Sequence, residues 1–333
     1  MKTKLMIGGV EVENPVFFAP LAGVSVAAVR RLFRRLGAAL THTEMVSSAG
    51  LLYAGPKTWQ MTECTDEERP LVLQLFTGDA DSLCRSAERC LQSRSYAAFG
   101  VNMACPMPKV HKKGAGSRLL QNPDVAFAMV RELKKFGLPV WPKIRKIVPD
   151  GREYRLDTLQ FAEGLLEAGA DNVTIHGRTP QQRYEGKADK SEVVRAARRF
   201  EGKITASGDV YAAADVAFYL DNGCAAVLCA RGAIADPFMV VHSLQVLGYN
   251  NRILHGDPSL QERAEILTGL ADDLYRLHGG RAALVLLRRF LSGFFRGQAG
   301  TAEFKRTLAS AKDWDSAYRI LRDWRSYFER GFM

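Results

Sequence analysis

A chain of 333 residues, 47% of them hydrophobic, can bury one large core and a smaller second one. Its formal charge of +10 favours polyanionic partners, nucleic acid or phosphorylated ligands. Its six cysteines (Cys64, Cys84, Cys90, Cys105, Cys224 and Cys229) form no CxxC pair and have no histidine cluster beside them, so no metal site is expected. No apolar run reaches membrane-span length and no signal-peptide pattern opens the chain. A cytoplasmic monomer with reduced thiols, away from membranes, is expected.

Apolar, β-rich runs at residues 15–22, 39–46, 71–76, 97–103, 140–147, 172–176, 203–206 and 225–230 predict eight strands. Helical spacing is found at 26–36, 80–91, 123–136, 157–168, 191–200, 212–221 and 234–247. Ser25 is the expected N-cap of the first helix, and Pro123 falls in the first turn of the third. Alternating strands and helices imply parallel pairing through crossovers, and eight cycles in this length fit an α/β fold of the (β/α)8 TIM-barrel type. A doubly wound open sheet competes, but no GxGxxG follows the first strand. After residue 258 only helical patterns remain, at 260–277, 281–295, 301–309 and 314–328. The expected division is a catalytic barrel at 1–247, a polar linker at 248–258 and a small C-terminal all-α helical bundle at 259–333.

A barrel of this type builds its site at the carboxyl ends of the strands. That rule gathers Pro20, Leu21 and Ala22 from strand one, Glu44 from strand two and Gln74 from strand three. Strand four gives Asn102 and Cys105, strand five Lys143 and Arg145, strand six His176 and Arg178. Strand seven ends in Ser207, Gly208 and Asp209, and strand eight in Ala230 and Arg231. Each also has an ordinary structural use: Cys105 as a core thiol, Gln74 as a satisfied polar group, Lys143 as the partner of Glu44. The small-residue turns beside Arg231 suit a phosphate. With Gln74 and Lys143 in reach of a heteroaromatic ring, FMN is the cofactor this chemistry suggests, and a sugar phosphate is the alternative ligand. The basic loop after Cys105 (Lys109, His111, Lys112, Lys113, Gly114 and Gly116) reads as mobile, able to close over a bound molecule.

Several stretches together resemble the tRNA-dihydrouridine synthase family: Ala19-Pro20-Leu21-Ala22-Gly23-Val24, Leu73-Gln74-Leu75-Phe76, Val101-Asn102-Met103-Ala104-Cys105-Pro106, Lys143-Ile144-Arg145, and Thr174-Ile175-His176-Gly177-Arg178-Thr179. Lys109-Val110 through Gly114-Ala115-Gly116 to Leu119-Leu120 also match, as do Gln182, Tyr184, Gly186 and Ala188-Asp189. The resemblance implies an FMN enzyme that uses NADPH to reduce uridine in tRNA. It implies hydride delivery to C6 of uracil and gives Cys105 the role of general acid toward C5. By the same resemblance Asn102, Arg145 and Arg178 are expected at the substrate, and Lys143, His176 and the turns after strands one, seven and eight at the flavin. Arg288, Arg289, Arg296, Lys305 and Arg306 are candidate RNA contacts in the helical part, and a solvated helix face is the alternative use for them.

This sequence departs from the family pattern at four places. Ser25-Val26 stands where Thr-Asp is usual, Ser207 where the strand-seven Asn is usual, Ala230 where Gly precedes Arg, and Lys190 where Trp follows Ala-Asp. Two other readings stay open on sequence: a flavin barrel oxidoreductase acting on a different RNA or a small pyrimidine, and a non-catalytic RNA-binding relative.

Overall fold

The computed structural model describes residues 4–53, 55–250, 254 and 256–330. Residues 251–253 and 255 of the expected linker lie outside these, as do residues 331–333 of the helical part.

A short antiparallel hairpin, β1 (Leu5–Ile7) and β2 (Val10–Val12), precedes the barrel. The barrel strands are β3 (Val16–Phe18), β4 (Thr41–His42), β5 (Val46–Ser47), β6 (Leu71–Phe76), β7 (Ala98–Met103), β8 (Val140–Arg145), β9 (Val173–His176), β10 (Ile204–Ser207) and β11 (Ala226–Cys229). All pairings among them are parallel, in the order β3-β11-β10-β9-β8-β7-β6-β4. A single parallel bridge, Phe17 to Leu40, brings the two ends together. This is the (β/α)8 arrangement expected from the alternation of elements.

Residue parity decides what the barrel contains, because successive strand side chains point to opposite faces. Phe18, Leu71, Leu73, Leu75, Phe99 and Val101 belong to the core under the surrounding helices. Phe17, Val72, Ala98, Trp141 and Leu228 form a second cluster inside the barrel, over which Ile7, Val10 and Val12 of the hairpin pack. The inward parity then runs up each strand from plug to site: Val72 to Gln74, Ala98 to Asn102, Trp141 to Lys143 and Arg145, Thr174 to His176, Thr205 to Ser207. Register sets these side by side, with Asn102 opposite Lys143, and His176 opposite both Arg145 and Ser207.

Several local expectations need correction. The expected second strand, 39–46, is interrupted between β4 and β5; there the Thr43 hydroxyl accepts from the Gln74 N–H at 2.9 Å, where a ladder carbonyl would otherwise stand. Ser25 is not the cap of helix Ala27–Arg35. The N-cap is Val26 without a side-chain bond, because the Ser25 hydroxyl turns back to accept from the Leu21 N–H. The expected helix 234–247 is two, Arg231–Ala235 and Met239–Val246, with Pro237 between them. The loop after Cys105 is folded: helix Pro108–His111 and the 3-10 turn Gly116–Gln121 bury Val110, Ala115, Leu119 and Leu120.

The tail begins with residues Leu260–Phe294, broken at Gly279 (φ +70°), between the expected helical stretches 260–277 and 281–295. Ala302–Ser310, Trp314–Arg322 and Trp324–Arg330 follow. The tail docks on the barrel through Phe290 against Phe33 (ring centroids 6.4 Å apart) and Asp273 against Arg31 (3.2 Å). It approaches the helix after β11 so closely that a Cβ on Gly293 would lie 2.4 Å from the Ile234 carbonyl. Among the described residues no helix is long and apolar enough to cross a membrane.

Candidate active site

A cavity of about 630 Å³ opens at the carboxyl ends of the strands. Around it stand Pro20, Leu21, Ala22, Asn102, Cys105, Lys143, Arg145, His176, Ser207, Gly208, Asp209, Ala230 and Arg231. Residues from six strand ends, far apart in sequence, thus share one space. Gln74, Arg178, Arg288 and Arg289 are not among its walls.

Cys105 leaves β7 in a turn fixed from both sides. Asn102 Oδ1 accepts from the N–H groups of Ala104 (3.1 Å) and Cys105 (2.9 Å). Asn102 Nδ2 donates to Gln74 Oε1 at 2.9 Å, which orients the amide. On the far side the Cys105 carbonyl accepts from the Ser117 N–H at 2.9 Å. Gly116, at φ +62°, comes so near that a Cβ there would lie 2.5 Å from that carbonyl. Burial pushes the half-buried Cys105 thiol above its ordinary pKa, against the pull of the Met107 N–H and of Arg145 and Lys143. It therefore holds its proton at neutral pH.

The Lys143 side chain has no hydrogen bond or ion pair among the described residues, so the Glu44–Lys143 pair is not formed. Glu44 accepts instead from the Gly23 N–H. Burial, with Arg145 adding to it, lowers Lys143 to about 7. Burial and the cations Lys143, Arg145, Arg178 and Arg231 push His176 far below the usual imidazole range, so its ring is neutral.

The two arginines expected at the substrate brace loops. Arg145 Nε donates to the Ala104 carbonyl (2.7 Å), and its Nη1 to the carbonyls of Thr179 (3.0 Å) and Arg183 (2.8 Å). Arg145 still faces the cavity. Arg178 is buried away from it, donating to the carbonyls of Glu185 and Gly186 and pairing with Asp209 at 2.7 Å. Burial raises the Asp209 carboxyl, but the bonds from Arg178 and the Ala188 N–H outweigh it and hold the group below its usual range. Asp209 also meets Arg231 at 3.3 Å.

The glycines of the last two turns have packing reasons. At Gly208 (φ +110°) a Cβ would lie 2.7 Å from the His176 ring, and at Gly232 it would lie 2.1 Å from the Val210 carbonyl. The turns after β10 and β11 therefore abut directly.

Sequence reasoning missed Met45, Met107, Tyr184 and Tyr211 as cavity residues. Tyr184 is exposed at the mouth, with the Arg231 guanidinium 4.7 Å and that of Arg145 5.7 Å from its ring centroid. Its place in the stretch after His176-Gly177-Arg178-Thr179 was the available signal. In the tail, Arg288 bonds the Ala311 carbonyl, and Arg289 Nη1 donates to the Gly23 carbonyl at 2.7 Å. Arg289 and Arg296 border a hollow of about 610 Å³ that Arg231 and Tyr211 share with the main cavity. Among the described residues no group of three His, Cys, Asp or Glu could hold a metal.

The dihydrouridine synthase family model matches residues 17–327. The probable tRNA-dihydrouridine synthase 1 of Synechocystis sp. is 33% identical over 71% of this chain and 66% of its own length, so the chain spans just under two thirds of that relative. The probable tRNA-dihydrouridine synthase of Mycobacterium tuberculosis is 29% identical over 93% of this chain and 82% of its own. That of Treponema pallidum is 28% identical over 95% of each. With the family pattern running through both barrel and tail, this chain belongs to the dihydrouridine synthase family.

Proposed function

We propose that the protein reduces uridine to 5,6-dihydrouridine in tRNA, with FMN as resident cofactor and NADPH as reductant. One observation carries the reading: a protonated thiol (Cys105), an unpaired amine (Lys143) and a guanidinium beside two small-residue turns (Arg231, Ser207, Gly208) face one cavity. Its volume, about 630 Å³, is within the range of cofactor clefts. The donor set suits FMN: Ser207, Gly208 and Arg231 would hold the phosphate, and Pro20, Leu21, Ala22, Met45 and Leu228 offer an apolar wall for the ring. Lys143, when protonated, would offer positive charge to the ring. When bound, reduced FMN supplies the hydride that reaches C6 of uracil.

The chain supplies the rest. Asn102 and the Gly116-Ser117 backbone hold the Cys105 turn, so the thiol stays at the mouth. Cys105 keeps its proton until carbanion character develops at C5, then gives it up there as general acid. The resulting thiolate lies near Arg145 and Lys143, which stabilise it. Neutral His176 offers a ring nitrogen for hydrogen bonding, and Tyr184 an exposed aromatic face to a base. The target base must leave its stack, at a cost of about a few kcal/mol. Lys/Arg contacts to phosphate offset that cost, in line with the +10 charge. The names of the relatives support tRNA as the substrate.

Reconstitution with FMN, followed by NADPH oxidation with bulk tRNA, free uridine or free uracil, tests the reading. A yellow protein turning over only with tRNA is expected. A colourless protein that takes up no FMN removes the flavin, and turnover with the free base alone removes the RNA substrate.

A further inference from the structure

Gly23 sits at φ +68° in the turn after β3, between Ala22 and Val24 of the cavity wall. Inside this turn the Leu21 carbonyl takes the N–H groups of Val24 and Ser25, and the Ser25 hydroxyl takes that of Leu21. Both polar groups of Gly23 go elsewhere. Its N–H donates to Glu44 Oε1, from the interrupted second strand. Its carbonyl accepts from Arg289 Nη1 at 2.7 Å, from the helical tail. One peptide unit is thus followed by the next between a carboxylate and a guanidinium, and charge-assisted bonds hold the glycine on both sides.

We infer that Arg289 is a positioning residue for the cofactor cavity: from the tail it clamps Gly23 opposite Glu44 and so sets where Leu21, Ala22 and Val24 stand in the cavity wall. The inference rests on reading that cavity as the flavin site. It makes the tail a working part of the pocket. No local sequence rule brings residue 289 to residue 23; only the docking of the tail does. Glycine is required in the clamp because the turn is left-handed there, which a Cβ would strain.

The test uses full-length wild type, Arg289→Ala, Arg289→Lys and Glu44→Gln. Amide hydrogen exchange reads the turn, and fluorescence titration reads FMN affinity. A gel-shift with tRNA and a urea midpoint are measured alongside. Arg289→Ala is expected to speed exchange in residues 20–26 and weaken FMN binding, each by about three- to tenfold, with exchange elsewhere and the urea midpoint unchanged. Arg289→Lys, which keeps one charged donor, and Glu44→Gln, which keeps an acceptor, should each retain part of the effect. If Arg289→Ala does not fold, Arg289→Lys carries the same comparison. Unchanged exchange in 20–26 overturns the clamp, whether or not FMN binds. Faster exchange with unchanged FMN affinity overturns the role in the cofactor cavity. Weaker tRNA binding with exchange and FMN affinity unchanged makes Arg289 an RNA contact and also overturns it. Wild type that binds no FMN, with exchange still altered in Arg289→Ala, keeps the clamp and removes the flavin reading.

Discussion

Cys105 and Lys143 are opposite answers to one environment. Burial raises the thiol and lowers the ammonium, because it disfavours each charged form. Cys105→Ala is expected to keep FMN and its reduction by NADPH while dihydrouridine formation falls by about 10²–10⁴. Stopped-flow flavin bleaching and nucleoside mass spectrometry separate the two steps, and full dihydrouridine formation by the variant would remove the general-acid role. For Lys143 the sign follows from its native value of about 7 against an ordinary 10.5. The unfolded chain holds the proton between these values and the native chain does not, so this group makes stability rise with pH across that window. Below about 7 both states are charged and the penalty is complete. Lys143→Met should therefore stabilise the flavin-free protein by about 2–4 kcal/mol at pH 6, and the gain should vanish above pH 10.5. Urea unfolding at several pH values checks it. Residue identity at the site was legible because the strand-end rule needs only sequence. Residue duty was not: Gln74 orients Asn102, and Arg178 braces the turns around Asp209, through contacts set by long-range packing.

At the scale of elements, the apolar, β-rich runs made the strands legible, and the same parity that buries Val72 and Trp141 sets Gln74 behind Asn102 and brings Lys143 to the cavity. Elements shaped by single tertiary bonds were not legible. Thr43 interrupts the second strand, Ser25 serves its own turn instead of capping, and the three-residue strands of the hairpin are too short to show a period. The loop after Cys105 reads as basic and glycine-rich, but its fold depends on Gly116 lying against the Cys105 carbonyl. Gly116→Ala should cost about 2–4 kcal/mol through the left-handed backbone and that contact, and should displace the thiol. Thermal unfolding and the rate of thiol modification read the two effects. A variant with wild-type stability and thiol reactivity would show that the loop tolerates the Cβ.

At the scale of the whole molecule, an ionic cluster buried at Arg30, Arg31, Glu68 and Asp273 lies between barrel and tail. Asp273 of the tail meets Arg31 (3.2 Å), Arg35 (3.6 Å) and Arg276 (3.1 Å), while Glu68 pairs with buried Arg30 at 2.6 Å. Asp273→Ala leaves Arg31 with only Glu68, at 3.6 Å, and is expected to destabilise the protein by about 2–4 kcal/mol and to expose the tail to limited proteolysis. Unchanged stability and an uncut tail would place the docking energy in the Phe33–Phe290 contact instead. For the proposed tRNA substrate, the charge of +10 predicts a fall in affinity of about tenfold or more between 50 and 200 mM salt. The central claim is the reduction of uridine within tRNA. Its most direct test is mass spectrometry of tRNA that lacks dihydrouridine, after incubation with this protein, FMN and NADPH. Dihydrouridine at a defined position is the predicted result. Unmodified tRNA beside consumption of free uridine or uracil would contradict it.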